Sequence, residues 1–564
     1  MSDIFFLVLR KLRTPLICLV SVYSIATLGM TLIPGIDDQG NVWHMSFFHA
    51  FYFVSFMGTT IGFGEIPYEF TDTQRAWVLV CIYTSVISWL YAIGTMLSLL
   101  GDQTFKNAIA HRAFGRAIAH IDLPFYIICG YGETGSIISR GLAELDIKTV
   151  IIDQNSEHTN NLELLDLSPP PIVLTADATQ PKNLLSAGMN HKNCDGVIAV
   201  TDHDHKNLQV ALSCKLLNKR IPVICRSQTE DETNNMASIG TDKIINPFVV
   251  FAQHLDLLAS KPAIHKLHTW FINQHQTTKI TKRLPPKGRW IVCGYGRLGR
   301  AVHRSIDRND IEIIIVDVDP KAHNAPKNAI QGRGTEADTL LEAGIMEASV
   351  IIAASDDDAN NLSILITAEE LNSEIYSIGR VNDGNNEMLF NRANCDYVMR
   401  GSNVIANHAL TLISRPLVTK FVELSNQFDE QEAEQLIQQI RLIVGETYPI
   451  TWRLQINTEQ APALVRHLQK SNKLTVGQVC KHKLFPRSTS LPLLLQRDNA
   501  IFMNPQNDMQ LKIGDQLLIC GKRHSTLLAQ HLRDNHELVD TIINENHHHI
   551  PLFRWLSRRR MNTE

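Results

Sequence analysis

Two long apolar stretches without charged residues lie near the start of the chain, at residues 14–33 and 76–100. Each is long enough to cross the hydrocarbon core of a bilayer, which takes about 20 residues in helical conformation. Residues 44–57 are also apolar and rich in aromatic side chains, but this stretch is too short to span. The pattern predicts two transmembrane helices with a re-entrant helix and loop between them, at 44–65. Non-helical backbone at that depth is tolerated only where it lines a cavity.

From residue 124 onward the pattern changes to short β-branched runs that alternate with amphipathic stretches, as in a doubly wound parallel sheet. This unit occurs twice. FYIICGYGETGSIISRGLAELDIKTVIIDQN begins at Phe125, and RWIVCGYGRLGRAVHRSIDRNDIEIIIVDVD begins at Arg289. Gly130 and Gly294 are 164 positions apart, and matching segments continue towards Arg226 in the first copy and Arg380 in the second. The sequence therefore predicts two tandem Rossmann-like domains.

In each copy an apolar strand runs into G-x-G-x-x-G and a helix, and a second strand ends in an acid 18 residues after the third glycine. This is the dinucleotide fingerprint, in which the glycines let a pyrophosphate approach the helix N-terminus and the acid binds a ribose hydroxyl. Its double occurrence in strand–turn–helix context is strong evidence for the fold. The candidate nucleotide-binding residues are Gly294, Gly296, Arg297, Gly299, Asp317 and Arg380 in the second copy, and Gly130, Gly132, Gly135, Asp153, Asp177 and Arg226 in the first.

The two copies differ at positions where a nucleotide would bind. The first copy has Glu133 inside its glycine loop, where a carboxylate would face a bound pyrophosphate, whereas the second has Arg297. Conversely, Asp177 of the first copy is matched by Arg333. These differences favour a nucleotide, NAD(H) or an adenine nucleotide, in the second copy. The alternative for either site is a fold that kept its glycines for packing alone.

The loop between the two apolar stretches reads Thr-Thr-Ile-Gly-Phe-Gly-Glu at residues 59–65, and it resembles the selectivity filter of potassium channels, usually T-V-G-Y-G-D. In such a filter, backbone carbonyls point inward at a dehydrated ion. The resemblance implies K⁺ as the permeant ion, with ion sites at the Thr60 hydroxyl and at backbone carbonyls. The candidate filter residues are Thr60, Ile61, Gly62, Phe63, Gly64 and Glu65. The alternative interpretation is an ordinary tight turn.

Pore and tandem repeats together resemble the RCK-gated potassium channels, which carry TrkA-N and TrkA-C domains. That resemblance implies a homotetramer whose cytosolic domains form a gating ring, with ligand binding moving the inner helices. A tetramer also follows from the loop itself, because one segment places carbonyls on only one side of an ion. Some relatives have a carboxylate at the position of Phe56, so Glu65 is expected to need another partner.

The fold class expected from these patterns is an α-helical two-span membrane pore domain, two tandem Rossmann-like α/β domains and a small C-terminal α+β lobe. The predicted boundaries are a pore domain at 1–105, a linker at 106–123, the first Rossmann-like domain at 124–250, a helical connector at 251–286, the second Rossmann-like domain at 287–410, a second connector at 411–441, the C-terminal lobe at 442–532 and a tail at 533–564.

Charges that flank the apolar stretches predict the orientation. Arg10, Lys11 and Arg13 precede the first, and Lys106, Arg112 and Arg116 follow the second. By the positive-inside rule, a multi-pass protein of the plasma membrane with both termini in the cytoplasm is expected. The net charge of -4 argues against a nucleic-acid partner.

Two further features leave alternatives open. Gly94 in the second apolar stretch is the candidate gating hinge, or else a close-packing residue. Asp356, Asp357 and Asp358 form an acidic run that is a candidate Ca²⁺ site, or else a solvated helix start whose acids favour the helix dipole.

Two other functions compete with a ligand-gated potassium channel. A membrane-anchored NAD-dependent oxidoreductase would explain the glycine loops, but no separate substrate domain with a placed acid–base pair is evident. A regulatory subunit of a K⁺ transporter would explain the repeats, but not the pore joined to them. The sequence therefore favours a channel that is not an enzyme.

Overall fold

The computed structural model describes residues 2–101, 112–163, 166–272, 283–306, 310–445, 447–471, 473–481 and 488–543. Lys106, part of the predicted linker and the tail from 544 lie outside the described residues. The described chain forms two compact units that part between Asp122 and Leu123.

The first unit is built on two long helices, Ser2–Leu32 and Asp72–Gly101, with the shorter helix Phe47–Gly58 between them. Both long helices start earlier than the predicted spans, but each contains an apolar stretch long enough to cross a membrane. Less than a quarter of the side chains in each stretch is buried, at 22% and 17%, so these helices do not form the core of a soluble domain. Their apolar surface requires lipid or further copies of the chain around it.

Side chains of the three helices hold the first unit together. The indole of Trp77 donates to the carbonyl of Ala26, and the indole of Trp89 donates to the hydroxyl of Tyr23 at 2.7 Å. A Cβ at Gly29 would lie 2.1 Å from the Trp77 ring, so this glycine allows the long helices to approach closely.

The two repeats in the second unit contain one parallel six-stranded sheet each, with equivalent strand orders. In the first sheet the order across the sheet is Ile172–Thr175, Lys148–Asp153, Phe125–Cys129, Cys194–Ala199, Val223–Arg226 and Lys243–Ile245. In the second it is Ile330–Gln331, Ile311–Asp317, Gly288–Cys293, Ala348–Ala353, Tyr376–Val381 and Tyr397–Arg400. The predicted doubly wound fold is confirmed in both copies.

Helices cover both faces of these sheets, as the alternating sequence pattern predicts. They are Glu133–Glu144, Ser156–Glu163, Pro181–Ser186, Asp204–Leu217 and Glu230–Ser238 in the first repeat, and Arg297–Ser305, Ala337–Glu342, Asp358–Leu371 and Glu387–Arg392 in the second. Two helices follow each sheet, at Pro247–Ser260 and Pro262–Ile272 after the first and at Gly401–Ser414 and Pro416–Ser425 after the second, and Glu430–Val444 comes next.

The two repeats exchange helices. Helix Pro247–Ser260, which follows the first sheet, buries Phe251 and Leu255 against Trp290 and Leu298 of the second repeat. Helix Gly401–Ser414, which follows the second sheet, packs against Glu133–Glu144 of the first, where a Cβ at Gly141 would lie 2.4 Å from Leu410. The exchange joins the repeats through continuous apolar cores.

The C-terminal lobe has a four-stranded antiparallel sheet, in the order Ile450–Gln455, Gln516–Gly521, Leu491–Arg497 and Ala500–Met503. Helices Pro462–Ser471, Val476–Cys480, Arg523–Asp534 and His536–Ile543 complete it. Asp515, which is 1% exposed, accepts two hydrogen bonds from Arg497. Helix Glu430–Val444 crosses the boundary predicted at 441, while the β-rich character expected for this region is found.

Candidate functional site

The loop after helix Phe47–Gly58 has a one-sided arrangement of backbone donors and acceptors. The N–H groups of Ile61 and Gly62 both donate to the carbonyl of Phe56, at 3.0 and 3.3 Å. The N–H of Thr60 donates to the carbonyl of Met57. Because these donors face the helix end, the carbonyls of the same residues face away from it, and no hydrogen bond to them is found among the described residues.

Alternation of backbone handedness keeps the carbonyls on one side. Thr60, Gly62 and Gly64 have φ of 62°, 64° and 70°, whereas Ile61 and Phe63 between them are not left-handed. Backbone that alternates in this way directs successive N–H groups to one side and successive carbonyls to the other. The need for Gly62 and Gly64 was predicted. The left-handed conformation of Thr60, uncommon for a β-branched residue, was not.

Glu65 at the end of the loop has the partner that the sequence left open. The hydroxyl of Tyr52 donates to Oε2 of Glu65 at 3.1 Å. Phe56, which stands where some relatives carry a carboxylate, is buried and packs edge-to-face on Phe63 at a centroid distance of 6.3 Å. A tyrosine one turn earlier on the helix therefore braces this end of the loop.

The second repeat has an open cleft at its glycine loop. Gly294 has φ of 102°, and a Cβ at Gly299 would lie 2.0 Å from the carbonyl oxygen of Gly294, so both positions require glycine. Gly296 caps helix Arg297–Ser305, and a Cβ there would meet nothing within 4 Å. The adjoining cavity measures about 490 Å³ and is lined by residues that include Gly294, Gly296 and Asp317. A helix N-terminus thus faces open space, as the fingerprint predicts.

Asp317, the predicted ribose-binding acid, is only 5% exposed and already has three hydrogen bonds. It accepts from the N–H of Tyr295 at 2.7 Å, from the N–H of Asp319 and from Nδ1 of His323. Burial alone would raise the pKa of Asp317, but these hydrogen bonds outweigh it and lower the pKa. The carboxylate therefore stabilises the glycine loop, and His323 is a cleft residue that sequence patterns did not indicate.

The first repeat has the same loop geometry around a smaller cavity of about 210 Å³. Gly130 has φ of 99°, and a Cβ at Gly135 would lie 2.1 Å from its carbonyl oxygen. Asp153 accepts from the N–H of Tyr131 at 2.5 Å, as Asp317 does from Tyr295. Gly132 and Asp177 line the cavity, and Asp177 accepts from the N–H and hydroxyl of Thr179.

The expected position of Glu133 is wrong. Its carboxylate pairs with Arg400 at the end of the last strand of the second repeat, so it contacts the other repeat. The expectation failed because sequence spacing places Glu133 in the glycine loop but does not reveal a partner 267 residues away.

The two arginines expected to neutralise phosphate charge in the second copy have a carboxylate partner in this structure, and their role towards a nucleotide stays a prediction. Arg297 contacts Oδ1 of Asp356 at 3.0 Å, and Arg380 pairs with the same oxygen. Arg226 of the first copy pairs with Asp202, the equivalent aspartate, at 2.9 Å. Each predicted phosphate-binding arginine is therefore already paired with a carboxylate of its own repeat.

The acidic run at 356–358 does not form the candidate Ca²⁺ site. Asp356 pairs with arginines, Asp357 caps helix Asp358–Leu371 by accepting from the N–H of Asn360, and Asp358 accepts from the N–H groups of Asn382 and Asp383. Within the described ranges no group of three or more His, Cys, Asp or Glu side chains is arranged to hold a metal ion. The carboxylates diverge because each has a separate structural partner.

A buried asparagine supports each cleft and was missed in the sequence. Asn361 donates to the carbonyl of Arg380 and accepts from the N–H of Ser355, and Asn207 makes the equivalent bonds to Arg226 and Thr201. Both side chains are fully buried. The signal was present, since AVTDHDHKNL and AASDDDANNL place this asparagine at the same repeat position.

Gly94 lies within the uninterrupted helix Asp72–Gly101. A Cβ at this position would meet nothing within 4 Å, so close packing inside one chain does not require this glycine. Its role as a gating hinge stays a prediction.

Three stretches of the chain match known families. Residues 17–102 match the ion channel family, and residues 126–247 and 290–401 each match the TrkA-N domain. The first stretch contains the second half of helix Ser2–Leu32, the loop at 59–65 and helix Asp72–Gly101, and the other two contain the glycine-loop repeats.

Curated relatives share parts of this arrangement. "Potassium channel protein 1" of Methanocaldococcus jannaschii is 27% identical over 218 residues, which are 39% of this chain and 64% of that protein. A "Trk system potassium uptake protein TrkA homolog" of Methanothermobacter thermautotrophicus is 31% identical over 142 residues, which are 24% of this chain and 65% of that protein. The chain thus spans less than two thirds of the length of these two relatives.

Among solved structures, "GsuK Channel" is 17% identical, with 96% of this chain and 100% of that chain covered and a TM-score of 0.46. "GsuK channel bound to NAD" is 15% identical, with 94% and 99% covered and a TM-score of 0.44.

The chain therefore joins an ion-channel domain to two TrkA-N domains in tandem. In part of its length it is homologous to archaeal potassium channel proteins.

Proposed function

We propose that this chain forms a potassium-selective channel whose opening is controlled by a nucleotide bound to its cytosolic repeats. The observation that carries the proposal is the loop at 59–64. The N–H groups of Thr60, Ile61 and Gly62 face the helix end, and the carbonyls of these residues face away from it with no hydrogen bond in the described chain. Such a row of carbonyls can replace the hydration shell of K⁺. A tight turn needs no such alternation over successive residues.

The assembly that we propose for this function is a homotetramer. One loop supplies carbonyls to one side of an ion, so rotational symmetry has to supply the others. Ile61 and Phe63 are 61% and 70% exposed in a single chain, which leaves apolar surface at the loop to be covered by neighbouring copies.

The bilayer is the proposed environment of the first unit, in the plasma membrane and with both termini in the cytoplasm. Arg10, Lys11 and Arg13 lie at the start of the first apolar stretch, and Arg112 and Arg116 follow the second helix. The connection between the helices carries Asp37, Asp38, Glu65, Glu69 and Asp72, so the outer mouth attracts cations.

The proposed ligand of the second cleft is NAD(H) or an adenine nucleotide. The open N-terminus of helix Arg297–Ser305 and the close approach allowed by Gly294 and Gly296 suit a pyrophosphate. Its cavity of about 490 Å³ exceeds the 210 Å³ of the first cleft. A ligand that binds the open state more tightly than the closed state shifts the gate by that difference. Gly94 is the proposed pivot.

Potassium flux into liposomes that contain only this chain tests the proposal. The informative variant is Gly62→Ala, because φ of 64° at this position strains any side chain and disturbs the row of carbonyls. Its matched control is Gly40→Ala, at a glycine with φ of 82° and equally open surroundings outside the loop. We expect Gly62→Ala to lower K⁺ flux at least tenfold and Gly40→Ala to retain it. Equal flux in the two variants would refute the assignment of the loop.

A further inference from the structure

Two arginines and one carboxylate meet at the second cleft. Arg297 begins the helix after the glycine loop, Arg380 lies near the end of strand Tyr376–Val381, and Asp356 follows strand Ala348–Ala353. Both arginines contact the same oxygen, Oδ1 of Asp356. Both guanidinium groups also lie over the ring of Phe248, at 5.3 and 4.8 Å from its centre. In this cluster two guanidinium groups share one carboxylate oxygen.

Asp356 lies between the arginines and the cavity. The residues that line the cavity of about 490 Å³ include Asp356, Gly294 and Gly296 but neither arginine. An anion that enters along the glycine loop, in a cavity that Arg333 also lines, therefore meets the carboxylate of Asp356 before it reaches Arg297 or Arg380.

Exposure shows which partner can move. The side chain of Asp356 is 64% exposed and has water to turn towards once another anion takes its place on the arginines, whereas that of Arg380 is 8% exposed. Burial lowers the pKa of Arg380 even though the Asp356 carboxylate opposes this effect, so one carboxylate does not offset the burial of this cation. A more highly charged anion would stabilise the two arginines better than Asp356 does.

The first repeat lacks this excess of positive charge. Arg226 pairs with Asp202 one to one, and the position equivalent to Arg297 is Glu133, which pairs with Arg400. The equivalent cluster there has no second guanidinium group to attract a phosphate. The two clefts thus have equivalent backbone geometry, but the charged side chains around them differ.

We propose that Asp356 determines the ligand specificity of the second cleft, because its carboxylate competes with the phosphates of a ligand for Arg297 and Arg380. A diphosphate group carries more negative charge than this one carboxylate and can engage both arginines, so it is the group that we expect to displace Asp356. This inference rests on the proposed nucleotide-binding function and adds the requirement for a diphosphate. Arg297 also contacts Gln228 of the first repeat, so displacement of Asp356 acts on a residue at the contact between the repeats.

Equilibrium binding of ADP and of adenosine to the full-length chain in detergent tests this competition. Asp356→Asn removes the competing charge and keeps the shape, so we expect ADP to bind about tenfold more tightly and adenosine to bind as in the wild type. Asp202→Asn removes the equivalent charge in the first repeat and is the matched control, with no gain expected at the tight ADP site. Unchanged or weaker ADP binding in Asp356→Asn would overturn the inference.

A second variant keeps the test valid if Asp356→Asn fails to fold. Arg297→Gln leaves one arginine on Asp356, as in the first repeat, and is expected to weaken ADP binding at least tenfold without changing adenosine binding. ADP affinity equal to that of the wild type would contradict the inference. Should the wild-type chain bind neither ADP nor NAD, the nucleotide proposal fails and this inference fails with it. ADP binding without a gain in Asp356→Asn refutes only the competition.

Discussion

At the scale of single residues, the side chains around the loop at 59–65 and around the two clefts act mainly through hydrogen bonds to the backbone. Asp317 and Asp153 hold their glycine loops through the N–H of the residue between the first two glycines. The hydroxyl of Tyr52 donates to Glu65 at the end of the loop at 59–65. Such residues fix the positions of the main-chain groups that, in the proposed function, contact an ion or a phosphate.

The contact between Tyr52 and Glu65 leads to a prediction at this scale. Tyr52→Phe removes the hydroxyl and keeps the ring, so Glu65 loses its hydrogen bond and the loop end becomes less restrained. We expect unchanged assembly, a similar single-channel conductance and open periods at least twofold shorter in single-channel recordings. Tyr83→Phe, on an exposed tyrosine of the second long helix, is the control. Open periods that match those of the wild type would show that this bond does not stabilise the loop.

Residue patterns predicted the backbone requirements of the sites better than their partners. Gly62 and Gly64 were predicted to need the dihedral freedom of glycine, and both have positive φ. Gly130 and Gly294 were predicted as glycines that allow close approach of a pyrophosphate, and their positive φ is an additional reason for glycine. The partners of Glu133 and Arg297 were not predictable from local spacing. Glu133 pairs with Arg400 of the other repeat, and Arg297 pairs with Asp356, which follows a different strand of its own repeat. Local spacing fixes the conformation of a loop, whereas long-range pairing depends on how the repeats pack.

At the scale of helices and strands, the exchanged helices are the least expected part of the second unit. A helical connector was predicted at 251–286 and the second repeat to 410, but not that helices Pro247–Ser260 and Gly401–Ser414 lie on the opposite repeat. Three histidines lie on helices Pro247–Ser260 and Pro262–Ile272. His254 and His265 stack with ring centroids 4.8 Å apart, and Nε2 of His268 lies 3.0 Å from the hydroxyl of Ser425.

These histidines predict a pH dependence of stability. Burial lowers the pKa of His254 to about 4, of His265 to about 3 and of His268 to about 4. Above pH 6.5 the histidines are neutral in both states. As the pH falls below 6.5 the unfolded chain binds protons that the folded chain does not, so the free energy of unfolding decreases by at most about 1.4 kcal/mol per pH unit for each histidine.

Thermal unfolding of the full-length chain between pH 7.5 and pH 5 measures this effect. We expect a falling midpoint below pH 6.5 and a shallower fall in His254→Leu, which lacks one of the buried imidazoles. His536, at the start of the last described helix, is outside the cluster, and His536→Gln serves as the control. A midpoint that is constant over this range would contradict the assignment of these histidines as neutral and buried.

At the scale of the whole molecule, the chain combines an ion-channel domain with two TrkA-N domains, and both parts were predicted from periodicity and repeated motifs. The two parts have different physical requirements. The first unit exposes apolar helices that need lipid and further copies, while the second buries its apolar residues within its own sheets and exchanged helices. We therefore expect the membrane unit to determine assembly and ion selectivity, and the repeats to determine ligand response.

The most direct measurement is the reversal potential of this chain in planar bilayers, with K⁺ on one side and Na⁺ on the other, while ADP or NAD is added to the cytoplasmic face. Conduction through the loop carbonyls at 59–64 predicts current that reverses near the K⁺ equilibrium potential and an open probability that changes with nucleotide. A current that reverses near zero, or no current at any nucleotide concentration, would contradict the account.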